Sequence, residues 1–141
     1  MVRNGEEWIY MLFLGEYQVN FSGPGRLLLP KKIRELLKGT SFVLTRGFDN
    51  CLAGYDGVEY EQKAKDLFNI SLLDTNKMAD RRMLFASTVY VEIDEQGRFV
   101  VPKHLLEYGK LAKKVTIVGV GDHFEVWDED TWNSYKKTIS V

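Results

Sequence analysis

Two stretches of this chain repeat one another 72 residues apart, and that spacing points to a fold built from one unit used twice. Gly25-Arg26-Leu27-Leu28-Leu29-Pro30-Lys31 is answered by Gly97-Arg98-Phe99-Val100-Val101-Pro102-Lys103. Without a gap, the same offset sets Val19 against Val91, Phe21 against Ile93, Glu35 against Glu107 and Lys38 against Lys110. It continues through Val43 and Val115, Gly47 and Gly119, and Asp56 and Asp128. Chance does not hold register over such a length.

Each copy reads the same way. Val19 and Phe21, then Leu27 and Leu29, alternate with polar residues around a turn, as do Val91 and Ile93, then Phe99 and Val101, which predicts two hairpins. The turns Ser22-Gly23-Pro24-Gly25 and Asp94-Glu95-Gln96-Gly97 end on glycines placed to take positive φ, beside Arg26 and Arg98. Pro30 and Pro102 suit the first position of short helices, each about two turns, with Gly39 and Gly109 as stops. Further strands are expected at 42–45 and 51–55, then at 115–118 and 123–127. Helices are expected over 58–70 and 75–85, the latter capped by Asp74, and a final helix follows Asp128. A lone hairpin is marginal in water and one copy holds too few apolar residues for a core, so the copies should interlock. That predicts a pseudo-two-fold, barrel-like core with both turn tips near one face.

At 141 residues, 45% hydrophobic and 28% charged, the chain has a globular balance. Its apolar runs fall well short of the roughly 18 residues a membrane helix needs, and no membrane partner is expected. Glu6 and Glu7 stand where a secretory signal would be basic, which reads as cytoplasmic. Cys51 is the only cysteine, which excludes an internal disulfide, and its ordinary reading is a small buried residue near a strand. Net charge is −1, which averaged over the chain argues against nucleic acid. The charge is segregated, however. Arg26, Lys31, Lys32, Arg34, Lys38 and Arg46 are opposed only by Glu35, whereas Asp122, Glu125, Asp128, Glu129 and Asp130 crowd the C-terminal part.

These residues carry a family resemblance. The repeated turn with its Arg, aliphatic strand and Pro, together with Leu44-Thr45-Arg46-Gly47-Phe48-Asp49 and Val118-Gly119-Val120-Gly121, resembles the MraZ family of bacterial transcriptional regulators, built from tandem SpoVT-AbrB-type domains. The match spans nearly everything from Met11 onward and sets the first ten residues apart as an extension. The resemblance implies a β-rich α+β fold of two swapped-hairpin modules forming a double-split β-barrel. It divides the chain into an extension (1–10), a first module (11–70), a helical linker (71–86) and a second module (87–141). It also implies binding to repeated promoter elements upstream of the division and cell-wall gene cluster, assembly into a homo-oligomeric ring, nucleoid association, and a repressor's role.

Carried over residue by residue, Asp94 and Arg98 fill the family's Asp-x-x-x-Arg turn in copy two, whereas Ser22 stands at the Asp position before Arg26 in copy one. Serine can cap a turn but cannot neutralise Arg26. The expected DNA-binding set is Arg26, Arg98 and Asp94, flanked by Lys31, Lys32, Arg34, Lys103 and His104 for phosphate contacts, with double-stranded DNA as partner. A purely structural Asp94–Arg98 ion pair is compatible with this role.

Other classes fit less well. An enzyme would draw suspicion to Asp94, Arg98, His104, Asp122 and His123, but no nucleophile elbow, phosphate loop or metal-ligand spacing is present, so neither catalysis nor a cofactor or metal is expected. An antitoxin-like or transition-state regulator acting with a protein partner is the nearest alternative, although such proteins commonly carry one copy. The aromatics Trp8, Trp127, Trp132 and Tyr135 sit among acids, which favours packing over single-strand stacking.

Overall fold

A computed structural model describes residues 2–4, 7–9, 12–69, 71 and 73–139. A separate hairpin pairs β1 (Val2–Asn4) with β2 (Glu7–Ile9). Copy one then runs through β3 (Glu16–Gly23), β4 (Arg26–Leu28), α1 (Lys31–Arg34), β5 (Ser41–Arg46), β6 (Leu52–Tyr55) and α2 (Gly57–Ala64). After α3 (Thr75–Ser87), copy two repeats the order as β7 (Val89–Glu92), β8 (Arg98–Val100), α4 (Lys103–Gly109), β9 (Lys114–Gly119), β10 (Phe124–Asp128) and α5 (Glu129–Thr138). Asp56 caps α2 by accepting from the Glu59 N–H, and its repeat partner Asp128 caps α5 by accepting from Thr131 N–H. Asp74 caps α3 through Lys77 N–H, as its position predicts.

The strands form one antiparallel sheet in the order β7-β5-β6-β10-β9-β3-β4-β8. Each copy's first strand pairs with the other copy's third: β3 lies against β9, and β7 against β5. The copies are therefore interlocked. A pseudo-two-fold axis passes through the Leu27–Phe99 pair of β4 and β8 and the Ala53–Glu125 pair of β6 and β10, since residues on either side exchange with their repeat partners. The sheet nearly closes on itself where Asp94 N–H donates to the Arg98 carbonyl at 2.8 Å. The result is a nearly closed eight-strand barrel with short helices, as the tandem-module reading requires.

The turn tips depart from expectation. Because β4 and β8 are antiparallel, and each hairpin turn precedes its strand, the turns lie at opposite ends of this two-stranded ribbon rather than side by side. What the two arginines share is the ribbon's outward face. The gap-free register also slips. Phe42 pairs with Val91 as Val115 pairs with Val19, so Phe42 rather than Val43 is the counterpart of Val115. The turn 47–51 is one residue longer than the turn 120–123, which restores register by Asp56 and Asp128.

Local elements differ in smaller ways. Helix α1 is a single turn, and Leu36 and Leu37, expected on its apolar side, follow it as irregular chain packed on the core. The expected helix over 58–70 tightens to a 3-10 segment at Lys65–Asn69, with residue 70 outside the described residues. Gly109 ends α4 inside the helix, and the left-handed residue is Lys110, with φ 52°.

The barrel interior is asymmetric although its backbone is not. Phe42 meets Phe99 edge-on with centroids 5.1 Å apart and Phe124 at 5.4 Å, and Phe13 closes on Phe124 at 5.6 Å. The symmetric positions hold the smaller Val115, Leu27 and Leu52, all fully buried. Gly54, paired with Phe124, makes room for that ring: a Cβ there would stand 2.2 Å from its Cζ. The repeat fixes the frame, and divergence between copies fills it.

Candidate nucleic-acid interface

Alternation along the ribbon decides which side chains face out. Leu27 and Phe99 are buried, so Arg26 and Leu28 on β4, and Arg98 and Val100 on β8, project away from the core. Arg26 stands opposite Val100, and Arg98 opposite Leu28, so each arginine has an apolar cross-strand neighbour. A shallow groove of about 360 Å³ is lined by Arg26, Arg98, Val100, Asp94 and Tyr90, which places both arginines on one continuous surface.

The two tips hold their arginines differently. In copy two, Asp94 Oδ1 accepts from the Gln96 and Arg98 backbone N–H groups, both at 2.9 Å, while Oδ2 accepts from Arg98 Nε at 3.3 Å. Arg98 Nη2 also donates to Gln96 Oε1. The Arg98 backbone N–H is the main influence keeping the exposed Asp94 carboxyl below the usual carboxylate range, aided by Gln96 and the Arg98 side chain. In copy one, Arg26 donates Nε to Ser22 Oγ at 3.1 Å and Nη2 to the Ser22 carbonyl at 2.7 Å. The serine reproduces the grip without its charge. Gly25 and Gly97 take φ of 66° and 83°, as their turns require.

The flanking cations are exchanged between copies. Leu29 N–H donates to the Gly97 carbonyl at 2.8 Å, bringing α1 with Lys31, Lys32 and Arg34 to the tip of copy two. Val101 N–H donates to the Gly25 carbonyl at 2.8 Å, bringing α4 with Lys103 and His104 to the tip of copy one. Arg34, anchored by Nε on the Leu29 carbonyl at 2.8 Å, lies over Gly97, where a Cβ would stand 2.5 Å from its guanidinium carbon. Its repeat partner Leu106 covers Gly25 in the same way, with Cδ1 3.2 Å from a Cβ there. The tip of copy two thus gathers Arg98, Arg34, Lys31 and Lys32. The other gathers Arg26, Lys103 and His104, and His104 already places Nε2 3.0 Å from the Ser87 carbonyl.

The support from Arg34 and Gln96 was not assigned from sequence. The only signal was that Arg34 and Leu106 share a repeat position. Their unlike chemistry concealed the shared job, and the exchange of helices between copies has no linear signature.

Of the residues an enzyme reading would single out, Asp94, Arg98 and His104 belong to the ribbon tips, whereas Asp122 and His123 lie elsewhere. His123 sits in the β9–β10 turn, at the end of β3 remote from the Ser22 tip. Its Nδ1 is 2.7 Å from Asp122 Oδ1, its Nε2 3.8 Å from Glu125 Oε2, and its ring stacks on Tyr55 at 4.7 Å. Among the described residues, no group of three or more His, Cys, Asp or Glu is arranged to hold a metal ion. Burial pulls the His123 pKa down, but bonds to Glu125 and Asp122 outweigh it and hold the imidazole above its ordinary value. A raised folded-state pKa stabilises fully below about pH 6.5, and that stabilisation is lost as pH rises through the folded value. Urea midpoints should therefore fall over that window in the wild type, and His123→Gln should flatten this part of the profile. An unchanged slope in the variant would contradict the assignment.

Trp127 is buried with Cys51 and Val118 beneath Trp132 and Tyr135 of α5, whose ring centroids lie 5.2 and 5.0 Å from its own respectively, so these aromatics pack rather than present stacking platforms. The side chain of Trp8 lies outside the described residues. Burial pushes the Cys51 thiol up, which makes it unreactive. No described helix is long and apolar enough to cross a membrane.

Comparison with known proteins agrees with the repeat. A family model described as "MraZ protein, putative antitoxin-like" matches twice, over residues 12–83 and 84–141. The protein named Transcriptional regulator MraZ from Acetivibrio thermocellus is 42% identical over 124 residues, covering 88% of this chain and 86% of that protein. Its namesake from Lactiplantibacillus plantarum is 39% identical over 125 residues, covering 89% and 88% respectively.

Proposed function

The chain belongs to the MraZ family of transcriptional regulators, and on that premise we propose that it acts by binding duplex DNA with the outward face of β4 and β8. The observation that carries this reading is the placement of Arg26 and Arg98 on one surface, each tethered to its own turn and flanked by cations from the other copy's helix. A two-stranded ribbon fits the major groove, where arginine donors meet the O6 and N7 acceptors of guanine. Lys31, Lys32, Arg34 and Lys103 flank the ribbon and serve the phosphates, and His104 stands beside them with its Nε2 on the Ser87 carbonyl.

With a net charge of −1, one chain gives little counterion-release affinity. Tight binding therefore calls for several protomers on successive sites, which the ring implied by the family resemblance provides. In this reading the sites are repeated promoter elements of the division and cell-wall gene cluster, and occupancy represses them. Selection from random duplex DNA at fixed salt tests the proposal. It should enrich a short element recurring at intervals near about 10 bp or a multiple, the repeat of the double helix. Recovery of no preferred sequence would overturn it.

A further inference from the structure

Two aliphatic side chains stand exposed between the arginines of the ribbon. Leu28 and Val100 are 44% and 54% exposed, and they occupy one diagonal of the outward face of β4 and β8 while Arg26 and Arg98 occupy the other. They are repeat partners related by the pseudo-two-fold axis, so the face is a two-by-two checkerboard of cation and aliphatic group. Neither aliphatic residue contributes to the barrel core, which is filled from the ribbon's other side by Leu27 and Phe99.

We propose that Leu28 and Val100 are specificity-determining residues that read thymine through its C5-methyl group. The inference rests on the DNA-binding reading above and names the base class its surface prefers. A ribbon that brings its arginines against guanine edges in the major groove brings its cross-strand neighbours to the adjacent bases. The only apolar group a base pair presents there is the thymine methyl. Cytosine at the same place carries only a hydrogen at C5, so the aliphatic side chain would lose its apolar partner. The face therefore favours guanine beside thymine. The flanking cations argue for nucleic acid as the occupant, because an apolar protein surface docking here would desolvate Arg26 and Arg98 without supplying anions.

The test uses the duplex recovered by selection, prepared with thymine and, one position at a time, with uracil, which lacks only the methyl. Wild-type protein should bind at least one uracil duplex roughly fourfold more weakly, the loss expected for one unburied carbon. Leu28→Ala or Val100→Ala should bind the thymine duplex more weakly and no longer distinguish it from its uracil form at that position. Arg98→Lys should keep the distinction. Equal wild-type affinity for thymine and uracil duplexes at every position would overturn the proposal while leaving DNA binding intact. So would a uracil penalty that persists undiminished in both alanine variants. A protein that retains no duplex would instead overturn the DNA reading, and this proposal with it. The uracil scan of the wild type needs no variant, so a folding defect in either alanine protein does not spare the proposal.

Discussion

Phe42→Ala should lower the free energy of unfolding by about 3–5 kcal/mol, the range for removing a fully buried phenylalanine. Phe42 comes from copy one yet packs on Phe99 and Phe124 of copy two, so its ring joins the two halves of the barrel. The cavity left behind is bounded by β-sheet on several sides and has little freedom to collapse. The loss therefore belongs toward the upper part of that range. Val115→Ala, at the symmetric position, removes fewer atoms and should cost about 1–3 kcal/mol less. Urea titrations check both, with the midpoint falling and the slope unchanged if two-state unfolding is kept. Equal costs at the two positions would show that the aromatic asymmetry has no energetic role.

Arg98→Ala should weaken binding to the selected duplex by about 1–3 kcal/mol, roughly five- to 150-fold, and Arg26→Ala should cost less. Arg98 is oriented by a carboxylate that is itself fixed by two backbone N–H groups, so most of the entropy of ordering the side chain is already spent in the free protein. Arg26 rests on a neutral hydroxyl and a carbonyl, with no fixed opposite charge. The neighbouring cations reinforce the difference, since α1 delivers Lys31, Lys32 and Arg34 to the Arg98 end, whereas α4 delivers only Lys103 and His104 to the Arg26 end. Binding isotherms for the two single variants at equal salt check the ranking. A larger loss from Arg26→Ala would mean that the Asp94 carboxylate restrains Arg98 from the bases more than it prepares it.

Much of the barrel was legible because its signals are local. Alternation around Gly25 and Gly97 predicts the hairpins, Pro30 and Pro102 start the helices, and Asp56, Asp74 and Asp128 sit where caps must. Interlocking followed from the small apolar content of one copy. The orientation of the tips did not, because antiparallel pairing of β4 with β8 is a choice between copies that no side chain records. The slip at Phe42 was hidden for a related reason. One residue more before β9 and one fewer after it cancel within twenty residues, and a gap-free alignment passes over both. At the site, Arg26, Arg98 and Asp94 could be named from the motif, whereas Gln96 and the crossing of Arg34 onto Gly97 required coordinates.

If both arginines of the one outward face read DNA, a gel-shift titration of wild type beside Arg26→Ala/Arg98→Ala will show it. Both should be run at the same salt, with thermal unfolding recorded for each. Partly exposed side chains outside the core should leave the unfolding temperature almost unchanged, while the double variant loses roughly a hundredfold or more in affinity. Undiminished affinity in a double variant that is still folded would contradict the claim and leave the two turns with a structural role alone.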